Sequence, residues 1–132
     1  MHRERPTPRF YLAIQPGRSY LGVGCWRPDA ATAGRIRRAI AERPGEWEAA
    51  IGAGAFEEHF TLQGERLARP PRGFDPGHPL IDDLRRKDFA ASTRFTNKAV
   101  TSGEFIDLFL ARCQAATPFV SFLCSALGVP FS

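Results

Sequence analysis

The sequence predicts an α+β domain: a mixed or antiparallel sheet led by an N-terminal β-hairpin at 10–26, packed on helices that include two C-terminal helices. Three observations carry this reading. Two period-two runs before Pro28 flank a Pro-Gly turn, apolar residues recur at helical spacing after Asp29 and after Thr117, and Pro and Gly punctuate the chain between such segments. At 132 residues the chain has the size of one domain, long enough to bury about two-thirds of its unfolded surface.

Residues 1–9 are rich in Arg and Pro and are expected to form a frayed basic arm, leaving 10–132 as a single domain. Phe10, Leu12 and Ile14 then share one face at period two. Gln15-Pro16-Gly17-Arg18 puts Pro and Gly at the two central positions of a type II turn. A returning strand at 19–26 turns Leu21, Val23 and Cys25 one way and Tyr20, Gly22, Gly24 and Trp26 the other. Glycines weaken a strand unless a backbone or an aromatic ring comes close to them. Gly22-Val23-Gly24-Cys25 also lacks the third glycine of a dinucleotide fingerprint and lies inside a strand, which excludes that kind of site.

Asp29 is placed to cap a helix over 30–42, with Ala33, Ile36 and Ile40 buried and Arg35, Arg38 and Glu42 in water. Arg43-Pro44-Gly45 breaks it, and a second helix carries Trp47, Ala50 and Ile51 until Gly52 and Gly54. Phe60-Thr61-Leu62, a turn at Gln63-Gly64-Glu65 and Arg66-Leu67-Ala68 read as a short hairpin. The stretch 69–79 is too rich in Pro and Gly to be regular, Asp75-Pro76-Gly77-His78 suits a β-turn, and Pro79 opens one or two helical turns over 80–86. A strand follows at 88–95, with Phe89, Ala91, Thr93 and Phe95 on one face. Thr101-Ser102-Gly103-Glu104 matches a capping box for a helix near 102–115 whose Phe105, Ile106, Leu108, Phe109 and Leu110 predict deep burial. Pro118 starts the last helix, 118–127, with Phe119, Phe122, Leu123, Ala126 and Leu127 on one face and Gly128 as its stop.

Composition narrows the function classes. An apolar share of 43% with 24% charged residues is that of a globular protein, which argues against global disorder. No apolar run approaches the roughly 18 residues of a membrane span, and Met1-His2-Arg3-Glu4-Arg5-Pro6 is not followed by the apolar core of a secretory signal. Cys25, Cys113 and Cys124 are odd in number and form no close pair, so they read as small buried residues in a reducing, cytoplasmic compartment. His2, His59 and His78 are scattered, and no metal or cofactor is expected.

The net charge of +4 is carried almost wholly by Arg, because only Lys87 and Lys98 are Lys. Guanidinium forks suit phosphate and carboxylate, although a GC-rich genome produces the same Arg excess more simply. The strongest candidate site is the loop and flank from 69 to 88. There Arg69 and Arg72 can hold an anion bidentately, Lys87 adds a point charge, and His78 is available for proton transfer. Asp75 belongs either to that site or to a turn. Arg18, at the hairpin turn, and Arg94, on the strand at 88–95, can project toward one space. Arginines converging without carboxylates would make an anion cradle, whereas pairing with Asp75, Asp82 or Asp88 would make a structural ion-pair net.

Enzyme signatures are weaker. No Gly-x-Ser-x-Gly elbow, phosphate-binding loop or HExxH run is present. A Cys25–His78 dyad needs a lowered thiol pKa, while Cys25 shares its strand face with Leu21 and Val23 and is expected to be buried. Asp82 and Asp83 are adjacent on a helix and point apart, which disfavours Mg²⁺. Nucleic acid finds a basic arm in Arg3, Arg5 and Arg9 and aromatic residues on the hairpin, but acids such as Glu42, Glu46, Glu57 and Glu58 are interleaved along the chain.

The run Phe10-Tyr11-Leu12-Ala13-Ile14-Gln15-Pro16-Gly17-Arg18-Ser19-Tyr20 resembles the hairpin of an uncharacterised, mainly bacterial family, domain of unknown function 2461. Gly22-Val23-Gly24-Cys25-Trp26-Arg27-Pro28, the loop at 67–74, the run 75–89 and the closing 118–128 extend the likeness to about Phe131. The resemblance implies no activity. It does imply a further, mostly helical N-terminal portion before the hairpin, where this chain has Met1-His2-Arg3-Glu4-Arg5. A sheet without that cover would expose apolar surface, so a homo-oligomer or a partner chain is expected. The functional expectation is a small-molecule or anion-binding module built on the Arg-rich Pro/Gly loop, with no membrane partner. The alternatives are a hydrolase-like enzyme completed by a partner or by an N-terminal region, and a nucleic-acid-binding module.

Overall fold

The computed structural model describes residues 7–131, so residues 1–6 of the expected basic arm lie outside the described residues. In chain order the elements are β1 (Arg9–Ala13), β2 (Ser19–Cys25), α1 (Ala30–Glu42), α2 (Pro44–Gly52), α3 (Gly54–His59), β3 (Thr61–Leu62), α4 (Ile81–Leu84), β4 (Phe89–Phe95), α5 (Asn97–Val100) and α6 (Phe105–Leu127). The strands form one antiparallel four-stranded sheet in the order β1-β2-β4-β3, with helices packed on one of its faces. This is the predicted α+β class with its leading hairpin.

Turn chemistry explains the hairpin. The Arg18 N–H donates to the Gln15 carbonyl at 2.9 Å, and Gly17 takes φ 73°, the left-handed geometry that the third position of a type II turn requires. Ser19 Oγ closes the base by accepting from the Gln15 N–H at 3.0 Å, and Asn97 Oδ1 ties the tip down by accepting from the Gly17 N–H at 2.8 Å. Both strand glycines have the close neighbours they need. A Cβ on Gly24, whose φ is +117°, would run into the Phe89 carbonyl, and one on Gly22 would sit 2.8 Å from the Trp26 ring.

The core lies between sheet and helices. Leu21, Val23 and Cys25 of β2 and Phe89, Ala91, Thr93 and Phe95 of β4 are all buried on that face. α1 is capped as predicted, with Asp29 Oδ1 accepting from the Thr32 N–H at 2.8 Å, and it buries Ala33, Ile36 and Ile40. Trp47 of α2 packs against Phe119 and Phe122 of α6, with ring centres 5.9 and 5.4 Å apart, and Phe56 of α3 stacks on Phe119 at 5.1 Å.

Four expectations are corrected. The hairpin at 60–68 does not form. β3 pairs instead with β4, Thr61 opposite Ser92 and Leu62 opposite Ala91, while Arg66 bridges to Arg86. Leu62 reaches the core only by lying on the central β4, and two residues of strand have too little face to stand apart from it.

The two C-terminal helices run as one, α6, with Pro118 inside it. Pro118 is exposed, and a single stripe of Ala116, Phe119, Val120, Leu123 and Leu127 continues past it. Thr117 Oγ1 donates back to the Cys113 carbonyl at 3.1 Å. The capping box is absent. Thr96 Oγ1 caps α5 by accepting from the Ala99 N–H, Thr101 ends α5, and Ser102 Oγ accepts from the Glu104 N–H.

Burial is the fourth correction. Ile106 and Leu110 in the first half of α6 are 65% and 52% exposed, and Phe10 and Leu12 on β1 are 40% and 37% exposed. β1 is an edge strand that packs chiefly on β2, with Phe10 meeting the Phe131 ring at 6.4 Å. The common interior is therefore shared by β2, β4 and the second half of α6. By length and composition alone α6 could cross a membrane, but its second half packs into this core.

Candidate anion site on the open face of the sheet

The face of the sheet turned away from the helices is built by register. Tyr11, Gly22, Ser92 and Thr61 lie in one row across the four strands, and Ala13, Tyr20 and Arg94 lie in the next. Small side chains at the centre and longer ones at the margin leave a concavity of about 570 Å³, lined by Gln15, Gly17, Arg18, Tyr20, Gln63, Ser92 and Arg94. The hairpin turn brings Arg18 to this space, held there by the Asn97 bond to Gly17. β4 brings Arg94 and Ser92.

No carboxylate lines the concavity. Neither the Arg18 nor the Arg94 side chain makes a hydrogen bond or an ion pair among the described residues, and both residues are exposed. Tyr20 continues the site toward Tyr11, their ring centres 6.1 Å apart, and Trp26 lies over Gly22 on the same side. Two guanidinium forks thus line one concavity together with neutral amide and hydroxyl groups, a donor set of the kind that suits an anion.

The remaining predicted residues do not line this space. Asp75 Oδ1 accepts from the Gly77 N–H at 2.9 Å, closing its own turn, and His78 Nδ1 accepts from the Leu80 N–H at 3.0 Å. Lys87 faces Glu65 at 3.4 Å. Arg69 and Arg72 are exposed and unpaired among the described residues. Around the loop the arginines are structural. Arg85 Nε donates to the Leu67 carbonyl, Arg66 Nε to the Asp82 carbonyl, and Arg37 to the carbonyls of Leu84 and Arg86. Asp83 pairs with Arg86 at 2.8 Å, and Asp88 accepts from the Arg27 N–H.

Of the predicted set, then, the structure brings together Arg18 and Arg94. Sequence reasoning missed Gln15, Gln63, Ser92 and Tyr20. The alternating parity of Tyr20, Ser92 and Arg94 placed them on outward faces, but only the pairing of β2 with β4 joins those faces.

Burial chiefly, then the neighbouring Cys124, pushes the Cys25 thiol up to about 12, with Arg9 opposing. Burial also raises Cys113 and Cys124. A thiolate nucleophile is not prepared at any of them. Among the described residues no three His, Cys, Asp or Glu side chains gather where a metal ion could be held.

The family model described as "Conserved hypothetical protein (DUF2461)" matches residues 1–122. No curated protein and no solved structure matches the chain.

Proposed function

The chain belongs to that family of conserved hypothetical proteins, and from this premise we propose that it binds a small anionic ligand, a phosphate or carboxylate, between Arg18 and Arg94. One observation carries the reading: two unpaired guanidinium groups line a single concavity that contains no carboxylate. Uncompensated like charges repel, and an anion that accepts from both forks removes the repulsion while gaining charge-assisted hydrogen bonds. Gln15, Gln63, Ser92 and Tyr20 supply neutral donors that would orient the ligand. Three free cysteines suit a reducing, cytoplasmic setting for such a binder.

A second reading has its own support. Tyr11, Tyr20 and Trp26 lie on the same sheet face as the two arginines, and stacking rings beside cations suit a single-stranded nucleic acid. Both readings are tested by thermal shift with inorganic phosphate, pyrophosphate, citrate and a short oligonucleotide. Phosphate, pyrophosphate or citrate should raise the melting temperature of the wild type and of Arg69→Ala/Arg72→Ala, and leave Arg18→Ala/Arg94→Ala unmoved. Equal stabilisation of Arg18→Ala/Arg94→Ala would overturn the cradle. A shift confined to the oligonucleotide, lost with added salt, would favour the second reading.

A further inference from the structure

We infer that two copies of this chain pair antiparallel through β1, closing a two-fold dimer whose two four-stranded sheets become one continuous sheet. The inference is independent of the anion reading.

The phase of the ladder shows which way β1 directs its backbone. The Gln63 N–H donates to the Ala90 carbonyl, so even-numbered residues of β4 bond toward β3 and odd-numbered ones toward β2. Carried through the register of β2, this turns Arg9, Tyr11 and Ala13 toward β2, and the turn bond from Arg18 to Gln15 agrees. Phe10 and Leu12 therefore point their N–H and C=O groups off the open edge, where no described residue meets them. Protected edges carry charge, proline or a bulge. Between Arg9 and Ala13 the strand reads Phe10-Tyr11-Leu12, with none of these.

Side chains add to the backbone. Phe10 and Leu12, together with Ile14 just beyond the strand, leave apolar surface open beside β1. A contact of five-residue strands alone falls short of the roughly 800 Å² per partner of a stable interface, so this flanking surface is needed.

Self-complementarity selects a second copy as the occupant. With Tyr11 on the two-fold axis, Phe10 lies opposite Leu12 of the second copy, and Arg9 lies opposite its Ala13. Apolar faces apolar, and no like charges oppose each other. Closure follows from the other edge. β3 has two residues and gives way at once to the segment that bridges through Arg66 to Arg86. A head-to-tail filament would need both edges open, whereas pairing of β1 with itself uses one edge and ends.

Sedimentation velocity or light scattering on the full chain tests the pairing. The wild type is expected at twice the chain mass. Leu12→Pro removes an N–H that points off the edge, and Phe10→Lys charges the row, so both should run at the single-chain mass with unchanged circular dichroism. Should Leu12→Pro fail to fold, Phe10→Lys decides. A wild type that stays at the single-chain mass at the highest attainable concentration overturns the inference. A dimer that survives Phe10→Lys overturns it as well, by assigning the contact to another surface.

Discussion

The buried indole of Trp47 donates through Nε1 to Oδ2 of Asp83 at 2.9 Å, joining residues 36 apart in the chain. The other carboxylate oxygen accepts from Arg86 Nε at 2.8 Å, and Arg86 is itself buried. One acid thus satisfies an indole and a guanidinium that water scarcely reaches. Asp83→Ala is expected to cost about 3–5 kcal/mol in urea unfolding, because it strands a buried charge. Asp83→Asn should lose less, since its amide oxygen still accepts one of the two bonds.

The two sheet glycines should respond unequally. Gly24→Ala combines a left-handed φ of +117° with a clash against the Phe89 carbonyl, and neither backbone can withdraw without breaking the β2–β4 ladder. It is expected to cost at least about 2 kcal/mol. Gly22→Ala meets the Trp26 ring, which can swing outward, so stability should change by less than about 1 kcal/mol while Trp26 fluorescence shifts.

Alkaline stability should depend on Cys25. Its thiol is held up at about 12 in the folded chain against an ordinary 9.0, so above the ordinary value the unfolded chain binds fewer protons than the folded one. The stabilisation this provides is whole below about pH 9 and is lost as pH rises toward 12. Melting of Cys25→Ala across this range should decline less steeply than melting of the wild type. A thiol reagent at pH 8 should react with Cys25 only after denaturant is added.

Pro118 sits inside the unbroken α6 and is not among its buried residues. Its missing N–H leaves the Gln114 carbonyl without a helical donor. Pro118→Ala should restore that bond and stabilise the domain by about 2 kcal/mol, the helix gain less the greater freedom of the unfolded chain. Hydrogen exchange in the first half of α6 should slow in parallel.

Much of the fold was legible because it rests on local chemistry. Asp29 caps α1 in any context that lets the following turn form, and Pro16-Gly17 sets its own dihedral angles. The errors fell where a distant partner decides. Leu62 chose β4 over a hairpin of its own, and Thr101 ended α5 when it could have capped α6. A row of Phe and Leu in the first half of α6 predicted burial, yet burial needs an opposing surface, which Ile106 lacks.

The candidate site divides in the same way. Arg18 at a turn and Arg94 on an outward strand position could be named from period and parity, but Arg69, Arg72, His78 and Lys87 looked equally eligible. Residue order alone determined the α+β class, the hairpin, α1 and the inertness expected of Cys25, because each depends on a few neighbouring residues and on apolar spacing. Tertiary structure alone decided that β4 lies between β2 and β3, that α6 runs unbroken, and that Arg18 and Arg94 share one concavity. Strand order and the convergence of charges are set by which surfaces bury each other across the whole chain, a balance that no short stretch of residues contains.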